Sequence, residues 1–220
     1  MIKKVFCAIA LALCVVSASA QDDKQNVLVV YGGPQFSMAS VGGGYSSGSK
    51  FSYLGGLQYE RNGVFGEDFG LYGGLEYTAK GVNGVEFVGS SREDDYGLNF
   101  LQLNLGVKYA KEIWGIEGFG EIGPYVAYGI GGSSSINGHD LDGNSFESLS
   151  VSGGSIYTDG GAGFSKFDAG FKVAIGAEFS GFRVMAGYQQ GLIDIADSDL
   201  ISNGYKNYGF FAAIGYGFKF

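Results

Sequence analysis

The segment Phe167–Phe179, FDAGFKVAIGAEF, carries the clearest evidence of secondary structure in the sequence. Its odd-numbered residues are all apolar, whereas the residues between them are Asp168, Gly170, Lys172, Ala174, Gly176 and Glu178. Because successive side chains of a β-strand point to opposite faces, this period of two predicts a strand. One face of that strand would be apolar, and the other would carry small and charged residues.

The same alternation recurs in segments of about ten residues, the length that crosses a bilayer as a tilted strand. It is clear at 69–77, 101–109, 182–188 and 208–220, noisier at 51–59 and 116–130, and ambiguous in parity at 28–38. No long apolar run follows residue 20, so transmembrane helices are not expected. Together the segments predict eight strands.

Two of these segments contain the only prolines of the chain, Pro34 and Pro124. A proline cannot donate to a ladder, and a closed barrel has no free edge to accommodate it. We therefore expect a bulge or a broken ladder at both positions.

The connections between the segments alternate in length. The short ones span 61–67, 110–115 and 180–181, and the long ones span 39–50, 79–96, 131–165 and 192–206. This pattern is typical of an eight-stranded antiparallel transmembrane β-barrel with short periplasmic turns and long extracellular loops. The termini would lie on the periplasmic side, with the last strand paired to the first. The loop at 131–165 is expected to be exposed and dispensable for folding.

A soluble, lipocalin-like barrel would place the apolar set inside and a charge-rich set in water. Here the polar set is mostly glycine with a few charges of both signs, which suits a narrow interior that side chains fill. Those charges are predicted to form a structural network of interior ion pairs: Glu76, Lys108, Glu121, Lys172, Glu178, Arg183 and Lys219. A charge-lined pore is the alternative.

Aromatic residues lie at the ends of the apolar sets. One rim would carry Tyr59, Phe69, Tyr109, Phe179, Phe182 and Phe218, and the other Phe51, Tyr77, Tyr128, Phe167, Tyr188 and Tyr208. Two aromatic girdles around an aliphatic band match the two interfaces of a bilayer. This sorting by depth favours the membrane barrel, with outer-membrane lipid as its surroundings.

Residues 1–20 have the features of a secretory signal peptide. Lys3 and Lys4 precede an apolar stretch, and Ala18–Ala20 forms a small-residue cleavage site. We expect a mature domain of residues 21–220. Both cysteines, Cys7 and Cys14, lie in the leader, so the mature domain would have neither disulfides nor thiolate sites.

The charge balance excludes one class of partner. The chain has 14 basic and 22 acidic residues, and removal of the leader lysines leaves 12 basic residues and a net charge of −10. Such a domain repels nucleic acid, so no nucleic-acid partner is expected.

Three segments carry a family resemblance: residues 71–81, LYGGLEYTAKG; residues 98–103, LNFLQL; and residues 214–220, IGYGFKF. They resemble the PorT-like outer-membrane β-barrel family of the Bacteroidota. The resemblance implies the outer membrane of a Gram-negative cell, no catalytic residues, and an accessory role in protein export. The chain end, with Tyr216, Phe218 and Phe220, is similar to the signal that the barrel-assembly machinery reads.

Little in the sequence points to chemistry. The only histidine, His139, lies beside Asp140 in a Gly/Ser-rich segment without an oxyanion hole. Asp142 and Asn144 continue a calcium-loop-like spacing, but Ser145 replaces its glycine and Val151 its closing glutamate. We therefore predict no catalytic residue, metal or cofactor. The leading hypothesis is a non-enzymatic membrane platform for envelope maintenance or external contacts; a narrow channel for a small solute and an outer-membrane enzyme are the alternatives.

Overall fold

The computed structural model describes residues 26–41, 46–86, 92–139, 145–157, 163–196 and 204–220; the expected signal peptide lies outside them. A short 3-10 helix spans Gly153–Tyr157. The strands are β1 Asn26–Val41, β2 Ser46–Arg61, β3 Phe69–Glu86, β4 Arg92–Ile113, β5 Ile116–His139, β6 Ser145–Ser152, β7 Phe167–Phe179, β8 Phe182–Gly191 and β9 Tyr205–Lys219.

Eight of these strands form a closed antiparallel barrel. The sheet order runs from β4 through β3, β2, β1, β9, β8 and β7 to β5, and β5 pairs with β4 to close the ring. Strand β6 lies outside the ring and extends it as a hairpin with β5. The eight-stranded barrel predicted from the sequence is therefore confirmed.

The last strand closes the barrel against the first, as expected. The β1–β9 ladder runs from Val27↔Lys219 to Val41↔Tyr205, but it lacks pairs at Gly33 and Pro34. Its register is the same on both sides of that gap. The β4–β5 ladder is interrupted in the same way at Pro124. Both prolines therefore produce a broken ladder rather than a bulge.

The parity predicted for the apolar set is correct. Ile175 is 72% exposed on the outer surface, whereas Lys172, which has the opposite parity in the same strand, is only 7% exposed. In β1, where the sequence was ambiguous, Val29 is buried and Val30 is exposed. Within the described ranges, no helix is long and apolar enough to cross a membrane.

The strands extend well beyond the bilayer. Strands β4 and β5 have 22 and 24 residues, whereas about 9–11 residues suffice to cross a membrane as a tilted strand. Much of the predicted loops 39–50 and 79–96 is therefore paired β-structure. These extensions could not be recognised from the sequence, because strand ends outside the hydrocarbon need no lipid-facing apolar residues and therefore show no alternation.

The expectation that residues 131–165 are exposed is also wrong in part. This segment contains the end of β5, strand β6 and the 3-10 helix, and it buries Ile156, Tyr157 and Phe164. These side chains pack in one cluster with barrel residues such as Tyr96 and Phe100. The dispensability of the segment for folding stays a prediction.

One of the short turns is tighter than predicted, and another is as predicted. The turn predicted at 110–115 contains only Trp114 and Gly115, and the β7–β8 turn contains only Ser180 and Gly181. All four residues have positive φ angles, of 55°, 79°, 50° and 84° in that order. These angles are those of the two-residue type I′ turn, whose twist matches that of antiparallel strands.

We expect removal of Phe220 to impair assembly in cells more than stability in vitro. Its amide donates to the carbonyl of Asn26 at 3.1 Å, and its side chain is 60% exposed, with a ring centroid 6.4 Å from that of Tyr59. Few contacts are therefore lost on truncation. Surface protein should fall in cells, while refolding into detergent stays near normal.

The matched control is Phe179→Ala, which removes another exposed rim aromatic away from the chain end. Equal losses for the Phe220 truncation in the cellular and refolding assays would show that Phe220 acts through stability alone.

Candidate functional site

The barrel interior holds a column of ion pairs, and its lower cluster is centred on Arg183. The Arg183 guanidinium bonds both oxygens of Glu60, one of them at 3.0 Å, and donates to Glu178 at 2.9 Å. It reaches Glu121 at 3.4 Å and lies 4.5 Å from the Phe119 ring centroid. Such planar, multidentate pairing is what a guanidinium provides and an ammonium does not.

Lys108 extends the lower cluster. Its ammonium lies 2.8 Å from Glu60 and 2.8 Å from Glu117. Lys219 lies 3.1 Å from Glu178, but its side chain is 52% exposed at the periplasmic rim. Of the seven residues predicted for the interior, Lys219 is therefore at the end of the column rather than inside it.

A middle cluster is centred on Glu76. This carboxylate accepts hydrogen bonds from Lys172, from the Tyr31 hydroxyl at 2.7 Å and from the Gln102 amide at 3.5 Å. The Lys172 ammonium also lies 4.5 Å from the Phe211 ring centroid. The charge on Glu76 is thus matched and hydrogen-bonded, as burial requires.

An upper pair completes the column. Lys80 lies 3.0 Å from Asp168, and its ammonium is 4.2 Å from the Tyr125 ring centroid. Sequence reasoning did not include this pair. Asp168 is one of the inward-facing, even-numbered residues of 167–179, but Lys80 lies in the segment 79–96, which was predicted to be a loop.

The extracellular end of the column is closed by apolar side chains, which we call the cover. The cover comprises Ile156 and Tyr157 from the 3-10 helix, Phe164 and Ile195, and it packs against Tyr96, Phe100 and Tyr205. The Phe164 ring makes edge contacts with Tyr96 and Tyr205, at centroid distances of 5.1 Å each. The cover therefore lies over the extracellular end of the column of ion pairs.

Tyr157 anchors the cover to the strands. Its hydroxyl lies 3.1 Å from the carbonyl oxygen of Asn99 and 3.2 Å from that of Gly131. Burial raises the pKa of the phenol, which keeps it protonated as a donor.

Gly129 leaves room for the Tyr157 ring. A Cβ atom at this position would lie 2.4 Å from Cζ of Tyr157. We therefore expect Gly129→Ala to displace the ring and destabilise the barrel by about 1–3 kcal/mol, as overpacking does. Urea titration of the barrel in lipid vesicles would measure the loss.

The control for this prediction is Gly129→Ala in a Tyr157→Ala background. Without the ring the added methyl group has space, so its cost should largely disappear. If the cost is unchanged, the methyl group acts on the strand itself and not on the cover.

The structure adds no support for a catalytic or metal site around His139. This residue ends β5 and pairs with Ser145 at the start of β6. Asp140, Asp142 and Asn144 lie outside the described residues.

The barrel is closed and antiparallel, with an apolar exterior and paired charges inside, and Asn26 and Phe220 lie at the end that carries its short turns. These features define an integral outer-membrane protein. The family comparison identifies it further. The chain belongs to the outer membrane protein β-barrel domain family, whose model matches residues 8–218. The protein is located in the outer membrane.

Three solved outer-membrane barrels are similar to this chain. OprG of Pseudomonas aeruginosa is 13% identical, with a TM-score of 0.47 and coverage of 90% of this chain and 98% of its own. Ail of Yersinia pestis is 17% identical, with a TM-score of 0.43 and coverage of 88% and 99%. Neisserial surface protein A is 12% identical, with a TM-score of 0.42 and coverage of 88% and 97%. No curated protein matches.

Proposed function

We propose that this protein is a non-enzymatic, closed barrel that serves as an outer-membrane platform and presents an extended β-structure for contacts outside the cell. The observation that carries the proposal is that the strands extend beyond the bilayer. The longest extension forms the β5–β6 hairpin. A barrel that only anchored itself would not need this projection. Envelope maintenance, or the export role implied by the PorT-like resemblance, would use the same surface.

The hairpin has a feature suited to protein contact. Strand β6 is the terminal strand in the sheet order, so within the described ranges its second edge has no strand partner. Such an edge presents unsatisfied N–H and C=O groups in a row, which can pair with an added strand. We infer that a partner with an extended segment binds there.

The column of ion pairs and the cover support a barrel that does not conduct. Each interior cation is within 3.4 Å of a carboxylate, so the charges neutralise one another rather than line a water path. We expect the purified protein in planar bilayers to show no single-channel steps at physiological salt. A general porin in the same bilayers is the positive control, and reproducible steps would favour the channel alternative instead.

The contact surface is tested separately in intact cells. A photo-reactive residue at Ser148, within β6, should form adducts with a protein of the cell surface or medium. The same residue at Trp114, in the opposite turn, should not form those adducts. If both positions give the same products, or if Ser148 gives none, β6 is not a contact edge.

A further inference from the structure

The wall of the barrel is interrupted between β2 and β3. The two strands pair at Leu54↔Thr78 and again at Ser49↔Val82, with a register shift between these pairs. Over this interval the backbone of β3 takes partners from β1 instead. The Gln35 amide donates to the carbonyl of Ala79 at 3.3 Å, and the amide of Gly81 donates to the Ser37 hydroxyl at 2.8 Å.

A cavity of about 330 Å³ lies at this interruption. It is lined by side chains and backbone of β2, β3, β4 and β5, among them Lys50, Ser52, Lys80, Gly97, Asn99 and Ser133. Because strands β2 and β3 separate here, the cavity is accessible from the side of the barrel.

Lys50 differs from the interior cations. Its ammonium donates to the carbonyl of Tyr96 at 3.3 Å. Among the residues whose side chains the structure describes, which exclude Glu86, Glu93 and Asp94, no carboxylate forms an ion pair with it. A Cβ atom added to Gly97 would lie 3.2 Å from the Lys50 ammonium and 3.2 Å from the Ser133 hydroxyl. These two groups therefore converge on one point in the cavity, above a glycine that leaves the space open.

The surroundings of the cavity fit an amphiphile. Phe51 and Tyr53 also line it and are 67% and 61% exposed on the outer surface. Phe51 packs on Phe36, and Tyr53 stacks on Tyr77, which belongs to the same predicted aromatic rim as Phe51. Aromatic rings at this depth mark the boundary between acyl chains and headgroups.

We propose that this cavity binds the phosphate group of an outer-leaflet lipid. The phosphate oxygens would accept from the Lys50 ammonium and the Ser133 hydroxyl, and the acyl chains would lie along Phe51 and Tyr53. A phosphate would pair with the Lys50 ammonium through charge-assisted hydrogen bonds. This binding site goes beyond the platform role, and its ligands Lys50 and Ser133 lie in β2 and β5 rather than on the free edge of β6.

Binding of lipid A by the full mature chain in detergent micelles tests the site. Three probes distinguish a lipid-borne phosphate from free phosphate and from the lipid alone. They are lipid A with its phosphates, the same lipid with the phosphates removed, and inorganic phosphate. We expect the phosphorylated lipid to bind at least about tenfold more tightly than the other two, the size of one charge-assisted contact. Equal affinity for the dephosphorylated lipid, or for inorganic phosphate, overturns the proposal.

Lys50→Gln should weaken binding of phosphorylated lipid A about tenfold. The matched control is Lys206→Gln, which removes the same charge from an exposed position in β9 and should bind like the wild type. Gly97→Ala, which fills the space between Lys50 and Ser133, is the second variant, and it covers the case in which Lys50→Gln fails to fold. Wild-type affinity in a folded Lys50→Gln or Gly97→Ala protein overturns the proposal.

Discussion

Arg183→Met is expected to destabilise the folded barrel by about 3–5 kcal/mol, the cost of leaving buried carboxylates without their cation. Arg183 contacts Glu60, Glu121 and Glu178, and its own side chain is fully buried. Methionine restores most of the volume, so the loss reports charge rather than a cavity. Urea titration in lipid vesicles, followed by the gel mobility of the folded form, would measure it.

Two controls accompany this variant. Lys206→Met removes an exposed cation and should change the free energy of unfolding little. Glu60→Gln combined with Arg183→Met should cost less than the sum of the single changes, because the two residues share one interaction. A loss below about 1 kcal/mol for Arg183→Met would mean that water solvates the lower cluster, against the closed barrel proposed above.

Ile175→Arg is expected to cost about 2–4 kcal/mol, because it places a cation in hydrocarbon near the bilayer midplane. Ile175 pairs with Gly120 and Ala186 in the middle of the adjacent ladders, and its side chain points outward. The same vesicle titration applies, and Ile175→Leu is the matched control with unchanged polarity.

Chemical labelling tests directly which face of β7 is in contact with lipid. A cysteine at position 175 should react with a lipid-phase probe and resist a water-soluble maleimide. A cysteine at position 172 should resist the lipid-phase probe, because Lys172 faces the interior. If the two labelling patterns are exchanged, the assignment of the outer surface to lipid is wrong.

The sequence predicts the part of the fold that the bilayer constrains. Within the membrane, each strand must offer an apolar face to lipid and small or paired polar groups to the interior, which imposes the alternation seen in 167–179. Beyond the membrane that constraint ends. The sequence analysis therefore missed strand β6, the 3-10 helix and the cover, because the glycine- and serine-rich composition of these segments is typical of loops.

The interior charges were predicted as a set but not as pairs. Parity places Glu76, Lys172 and Arg183 inside, whereas their partners depend on the tilt and stagger of strands that are distant in the chain. Arg183 thus binds Glu60, 123 positions earlier. Glu60 was missed because the alternation in its strand is noisier. Lys219 was wrongly placed in the interior, because the alternation tells which face a residue occupies but not how far along the barrel axis it lies.

The long strands also have a consequence for biogenesis. The β4–β5 hairpin must enter the membrane from the periplasm with its polar end leading, since its turn at Trp114 remains behind. Arg92, Glu93, Asp94 and Asp95 lie at that leading end. We therefore expect four charged residues to pass the hydrocarbon before the barrel is complete; at the midplane an arginine costs about 2–4 kcal/mol and a carboxylate less. We expect these residues, which lie beyond the transmembrane part of the strand, to contribute to the kinetic barrier to insertion.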